Sequence, residues 1–253
     1  MDDNYLLRFN RQILLPQVDI KGQQKLDHSQ VTVIGLGGLG CPVATYLAAA
    51  GVGKLTLIDH DVVELTNLQR QLAYTDADID NPKATTIMQL CANINPHCRI
   101  TPIQQQFDLE KHQNIIQSSD VIVDATDNIE SRKAINAASV FESKPLVFAA
   151  AIRMEGQLTV FDPRDNNSPC YECVFGHVNV NETCSDGGIL GTVVGTLGLM
   201  QATEAIKLIV GMGQSPVGRL LLYDALSCDW QSIKISRRND CPVCNTTISR
   251  KQD

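Results

Sequence analysis

No secretory leader is expected from the opening residues. The chain begins MDDNYLLRFNRQ, charged and without the apolar segment of a secretory signal. It also lacks a clean membrane-length run. The longest apolar stretch, Gly187 to Met200, is rich in Gly and Thr and leads into Gln201, Glu204 and Lys207, which argues against a span. Positive charge is not in excess: 21 Lys and Arg stand against 28 Asp and Glu, a net charge of −7, so no basic footprint for nucleic acid is present. Histidine is scarce. His28, His60, His97, His112 and His177 are the five, none in a convincing acid–base setting, and each reads as a solvated surface side chain. No internal repeat or low-complexity tract occurs.

What is present is enough for one large α/β domain or a domain with an appended lobe: 253 residues, 43% of them hydrophobic. Nine cysteines cannot all pair, and four of them form two CxxC pairs. Without an export signal, this points to reduced thiols, a bound metal and a cytoplasmic protein.

Strands and helices alternate through the first 150 residues. The pattern predicts strands at 31–36, 54–59, 120–126 and 145–150. It predicts helices at 41–52, 81–95 and 129–142, with Asn81 as N-cap and Pro82 at the first helical position of the second. That rhythm implies a Rossmann-like, mostly parallel sheet with helices on both faces. Further strands are expected at 155–163 and across 218–236, with a turn at 224–228. A helix is expected at 189–211 and a turn-rich loop at 162–169.

Gly35-Leu36-Gly37-Gly38-Leu39-Gly40 matches GxGxxG between a strand and a helix, where glycines let the backbone turn tightly and approach phosphates. Asp59 ends the next strand, in position for ribose hydroxyls. An NAD-dependent oxidoreductase would use the same loop, but no Tyr and Lys pair on one helix or other hydride-transfer machinery accompanies it. Cations accompany it instead. Lys83 lies in the first turn of its helix, against the macrodipole unless an anion is near, and Arg70 follows a run of amide side chains. Asp127 and Asn128 lie just past a strand end. Either could cap the next helix, and a free carboxylate there could hold Mg²⁺. Such a set suits displacement at a phosphate. Adenylation of a carboxylate fits it best, because the nucleophile is already ionised and the obstacle is charge repulsion.

GLGGLG at 35–40, DxD at 59–61, NLQRQ at 67–71, NPK at 81–83, DATDN at 124–128 and RFNRQILL near the start resemble the bacterial ubiquitin-activating-type adenylyltransferases. The resemblance covers nearly the whole chain. It implies one adenylation domain over 1–253, with a nucleotide-binding part at about 30–150 and a carrier-binding and zinc part at about 151–253. It implies that ATP and Mg²⁺ are held by Gly35, Gly37, Gly38, Gly40, Asp59, Asp61, Thr66, Asn67, Leu68, Gln69, Arg70, Lys83, Asp127 and Asn128. Arg11 would reach the ATP of the partner subunit in a homodimer. The implied partner is a small ubiquitin-like sulfur-carrier protein with a C-terminal Gly-Gly. AAIRMEGQLTVF at 150–161 and LLYDALSC at 221–228 look most like the branch that serves molybdopterin synthase, the near sibling serving thiamin synthesis. Some relatives carry a rhodanese-like domain after the zinc site. This sequence stops at Asp253, so a separate sulfur donor is expected.

Cys170 and Cys173, with Cys241 and Cys244, have the spacing of two zinc knuckles, and four thiolates make a closed structural Zn²⁺ site. A redox CxxC is the rival reading. Cys184, in NETCSDGG ahead of a helix, matches by resemblance the cysteine that siblings bond to their carrier; a passive exposed thiol is the alternative. Cys41, Cys91, Cys98 and Cys228 read as small apolar fillers.

Overall fold

The computed structural model describes residues 3–177 and 187–245, so the expectation for Cys184 lies outside the described residues. Five strands, β1 (Gln30–Ile34), β2 (Lys54–Ile58), β3 (Arg99–Ile103), β4 (Val121–Asp124) and β5 (Leu146–Ile152), pair in parallel in the order β3-β2-β1-β4-β5. Three antiparallel strands, β6 (Glu155–Phe161), β7 (Arg219–Asp224) and β8 (Asp229–Lys234), continue the same sheet beyond β5. The helices are α1 (Asp3–Ile13), α2 (Asp19–His28), α3 (Gly40–Ala50), α4 (Lys83–Ile94), α5 (Leu109–Ser118), α6 (Ile129–Glu142), α7 (Tyr171–Phe175) and α8 (Gly191–Val210).

Alternation along the parallel strands divides the core between two faces. Val31, Val33, Leu55, Leu57, Val121 and Val123 point toward α3, α4 and α8. Ile34, Ile58, Ile122, Leu146 and Phe148 point the other way, onto α5, α6 and α7. The predicted elements are present with ends shifted by a few residues. The β3–α5 unit between α4 and β4 had no expectation. Pro102 interrupts the strand pattern of β3, and is tolerated because β3 is an edge strand.

Helix α8 is long and apolar enough, by length and composition, to cross a membrane. It packs against α2, α3, β4, β5 and β6. Its fully buried Gln201 donates to the carbonyls of Asp124 (2.7 Å) and Val147 (3.3 Å), so this polar residue caps open sheet carbonyls inside the core.

Three expectations need correction here. Helix α4 begins at Lys83: Pro82 occupies the cap position in an extended conformation, and no side chain caps the helix. Asn81 instead gives its carbonyl to Val63 N–H (2.9 Å), because the segment before α4 bridges to the chain after β2. The second correction concerns histidine. His112 is buried, with its ring stacked on Phe107 at 5.5 Å, since α5 turns that face onto the sheet. The third concerns Cys228, which is exposed in the β7–β8 turn with φ +61, whereas Cys41, Cys91 and Cys98 are buried as expected. Burial pushes the thiols of Cys41, Cys91 and Cys98 up to about 12, leaving them protonated.

Candidate active site

The C-terminal ends of β1, β2 and β4 open on one edge, as expected for ligand sites of parallel sheets. A cleft lies there, with about 880 Å³ of empty space once the open solvent at its mouth is included. Gly35, Gly37, Gly38, Asp59, Asp61, Arg70, Lys83, Asp127 and Asn128 all line it. Segments separated by up to 93 positions in sequence, Gly35 to Asn128, are thus brought to one surface.

The glycine loop is shaped by close backbone contact. Gly35 has φ +88, and a Cβ on it would lie 2.6 Å from the Ala125 carbonyl oxygen. A Cβ on Gly40 would collide with the Gly35 carbonyl, so Gly40 serves the turn from loop to helix and does not line the cleft.

Asp59 organises the β2 end. Its Oδ2 accepts from Leu36 N–H in the glycine loop (2.6 Å), and its Oδ1 accepts from Asp61 N–H (2.8 Å). Burial raises its pKa above the usual aspartate value, against the lowering effect of these two N–H groups. Asp61 in turn clamps Lys83 twice. Its carbonyl accepts from Lys83 N–H (3.0 Å), and its Oδ2 from Lys83 Nζ (3.0 Å). The anion that balances the lysine at the helix start is therefore Asp61, which also pairs with His60 Nε2 at 3.2 Å. His60 lines the cleft and is exposed.

Arg70 is held differently. Its Nη1 donates to the Thr66 carbonyl (3.0 Å), and among the described residues it meets no carboxylate. It lines the cleft. Across the cleft, Asn128 caps α6, its Oδ1 accepting from Ser131 N–H (2.8 Å). That settles which of the two residues is the cap. Asp127 is exposed, lines the cleft, and has no hydrogen-bond or ion-pair partner among the described residues.

Thr66, Asn67, Leu68 and Gln69 do not line the cleft. Asn67 is buried and closes a capping box with Glu64 around a short 3₁₀ turn, Leu65–Asn67. The carbonyl of Thr66 anchors Arg70, and the Gln69 backbone sits against Gly191 at the start of α8. These residues shape the segment that presents Arg70.

Arg11 is exposed on α1 and does not line the cleft of its own chain. The helix carrying it is anchored on its own chain. Tyr5 and Phe9 are buried against the same chain, and Gln12 Nε2 donates to Ala50 O (2.9 Å).

Four further residues belong to the cleft and its floor, two of them, Gln71 and Asp124, inside the NLQRQ and DATDN motifs. Gln71, Phe107 and Arg132 line the cleft, and Asp124 is buried beneath it. Asp124 Oδ1 accepts from Thr126 N–H (3.0 Å) and Oγ1–H (2.6 Å), while its Oδ2 has no partner. Burial raises its pKa, opposed chiefly by the neighbouring Arg132. Arg132 Nη2 donates to Thr126 O (2.9 Å), and its guanidinium lies over the Phe148 ring at 5.4 Å. DATDN and the helix after it carried the signal for Asp124 and Arg132; nothing in sequence set Phe107 apart.

The two CxxC pairs meet far from the cleft. All four Sγ atoms of Cys170, Cys173, Cys241 and Cys244 lie within 4.8 Å of one another, and all four residues are buried. The separations are 3.8 Å for Cys170–Cys173, 3.6 Å for Cys170–Cys241 and 3.5 Å for Cys173–Cys244. A tetrahedral ion with metal–sulfur bonds of about 2.3 Å puts its sulfurs about 3.8 Å apart, so the donor set fits such an ion. Hydrogen bonds from Cys170 and Cys244, with Arg238 N–H at 3.5 Å, lower the pKa of the Cys173 thiol.

Comparison with known proteins agrees with this geometry. The ThiF family model matches residues 9–243. The molybdopterin-synthase adenylyltransferase of Salmonella typhimurium is 42% identical over 245 residues, 96% of this chain and 98% of the relative. The sulfur carrier protein ThiS adenylyltransferase of Escherichia coli is 44% identical over 245 residues, 96% of this chain and 97% of the relative. The crystal structure of Escherichia coli MccB with MccA-N7isoASN shares the fold, at a TM-score of 0.82 and 21% identity over 97% of this chain and 77% of that one. A family match across nearly the whole sequence, with relatives above 40% identity end to end, establishes that this chain belongs to the ThiF family.

Proposed function

We propose that this chain uses ATP to adenylate the C-terminal Gly-Gly carboxylate of a small ubiquitin-like sulfur-carrier protein, the small subunit of molybdopterin synthase, with release of pyrophosphate. One observation carries the reading: the glycine loop, Asp59, Arg70, Lys83 and Asp127 share a single cleft at the sheet edge. The naming of the nearly full-length relatives as adenylyltransferases supports it.

In this reading the carrier carboxylate attacks the α-phosphate without a general base. Arg70, which meets no carboxylate among the described residues, and Lys83, fixed by Asp61, offset the repulsion between the two anions. The free Asp127 would hold Mg²⁺, which supplies charge neutralisation along the triphosphate. Asp59 keeps lone pairs for the ribose beyond those used by Leu36 and Asp61 N–H. Arg11 acts on the partner's nucleotide in a homodimer. The four cysteines hold a structural Zn²⁺, and residues 151–253 bind the carrier. Cys184 enters only after the adenylate forms, when a separate donor delivers sulfur.

The same chemistry on the thiamin sulfur carrier is the second reading, favoured by the 44% identity to the ThiS adenylyltransferase. ATP–pyrophosphate exchange measured with each Gly-Gly carrier separates the two. Exchange is expected with the molybdopterin-synthase carrier; exchange only with the thiamin carrier selects the second reading, and exchange with neither refutes both.

A further inference from the structure

We propose that Gln71 is a further nucleotide-binding residue, its carboxamide N–H donating to the phosphate chain beside Arg70. The inference rests on the ATP reading of the cleft. Gln71 is only 4% exposed, lines the cleft, and makes no side-chain hydrogen bond among the described residues. Its Oε1 is shut off from solvent without a partner. Its Nε2 lies beside the glycine loop, 3.6 Å from where a Cβ on Gly37 would stand. The carboxamide N–H, facing the glycine loop with no acceptor among the described residues, is the group that a phosphate oxygen would satisfy; Oε1 plays no part in that contact.

The surrounding frame holds it there. Gln71 N–H donates to Asn67 O (3.0 Å), and Gln71 O accepts from Tyr74 N–H (3.1 Å). Tyr74 Oη donates in turn to Leu36 O (2.9 Å), tying this turn to the glycine loop. Two neighbours in the cleft, Gly37 and Arg70, already identify it as the phosphate end. Phosphate oxygens only accept, and a carboxamide N–H is their uncharged complement. Leucine has similar bulk and would fill the same space without offering an N–H to the cleft.

That contrast supplies the test. MgATP affinity is measured by calorimetry on the full chain without carrier, alongside thermal unfolding. Gln71→Leu is expected to weaken MgATP binding about 10- to 100-fold, the range for a hydrogen bond to a charged group, with Tm unchanged or higher. Gln71→Glu, of nearly identical shape, is expected to bind more weakly still, because it sets a carboxylate against phosphate. MgATP affinity within about threefold of wild type in Gln71→Leu overturns the proposal. If that variant does not fold, wild-type affinity in Gln71→Glu overturns it instead. Wild-type protein that binds MgATP, loses affinity on Gln71→Leu, yet exchanges pyrophosphate with neither carrier, would remove the adenylation reading and keep this one.

Discussion

Lys83→Met separates what the cleft does for the reaction from what it does for the fold. The lysine side chain is 6% exposed and Asp61 is 49% exposed, with 3.0 Å between Nζ and Oδ2. At an effective dielectric of about 20, two charges at that distance attract by roughly 5 kcal/mol. Solvent at the half-exposed Asp61 reduces the net contribution to about 1 kcal/mol. Two terms oppose even that. The buried ammonium loses its hydration, and a cation at the first residue of α4 opposes the helix macrodipole by about 0.3–1 kcal/mol. Methionine fills similar space, so stability should change by no more than about 1 kcal/mol, a Tm shift of about 2–4 °C at this chain length. Adenylation should nevertheless fall about 10²- to 10³-fold, the loss expected when a preorganised charge is removed from the transition state. The assay is ATP–pyrophosphate exchange with carrier, run beside urea unfolding. Exchange within tenfold of wild type in a folded variant refutes the assignment. Asp61→Asn should also lower exchange but add little on the Lys83→Met background, because the two act as one unit.

Purified protein is expected to contain about one Zn²⁺ per chain, and Cys173→Ser to lose the metal and unfold more readily, since the ion closes a site built from segments about 70 residues apart; a metal-free wild type of full stability contradicts this. Asp124→Asn tests the buried carboxylate through pH. Its folded pKa is raised, so the wild-type contribution to stability is full below the ordinary aspartate value and lost as pH rises through the folded value. The variant's stability minus that of wild type should therefore increase with pH across that window, and urea titrations showing a flat or falling difference rule it out. Mixing inactive Arg11→Ala and Asp127→Ala homodimers should restore roughly a quarter of wild-type exchange if Arg11 acts across a twofold axis; no recovery, with subunit exchange confirmed by two tags, places Arg11 outside the partner's site.

Much of the fold was legible because its signals are local. Alternating apolar strands, amphipathic helices and the GxGxxG turn each sit within a short window. Helix α6 was predicted at 129–142 and is observed over those residues. Edge elements were less so. The β3–α5 unit carries a proline and a weak apolar stripe, and its place beside β2 comes from pairing partners over forty residues away. Helix α4 begins at Lys83 and not at Asn81, because Val63 claims the Asn81 carbonyl from a distant segment.

The chemistry divides the same way. Sequence by itself determined which residue types were available: phosphate-turn glycines, a cation in NLQRQ, a second in NPK, carboxylates in DxD and DATDN, and four cysteines in paired knuckles. Local spacing is enough for such motifs, because each depends on one turn or one strand end. Only the tertiary structure decided which of two candidates at 127 and 128 is the helix cap, that Asp61 pairs with Lys83 while Arg70 meets no carboxylate among the described residues, and that Gln71 is buried with its carboxamide oxygen unpaired. Those facts depend on desolvation and on distances between segments far apart in the chain, and sequence spacing encodes neither.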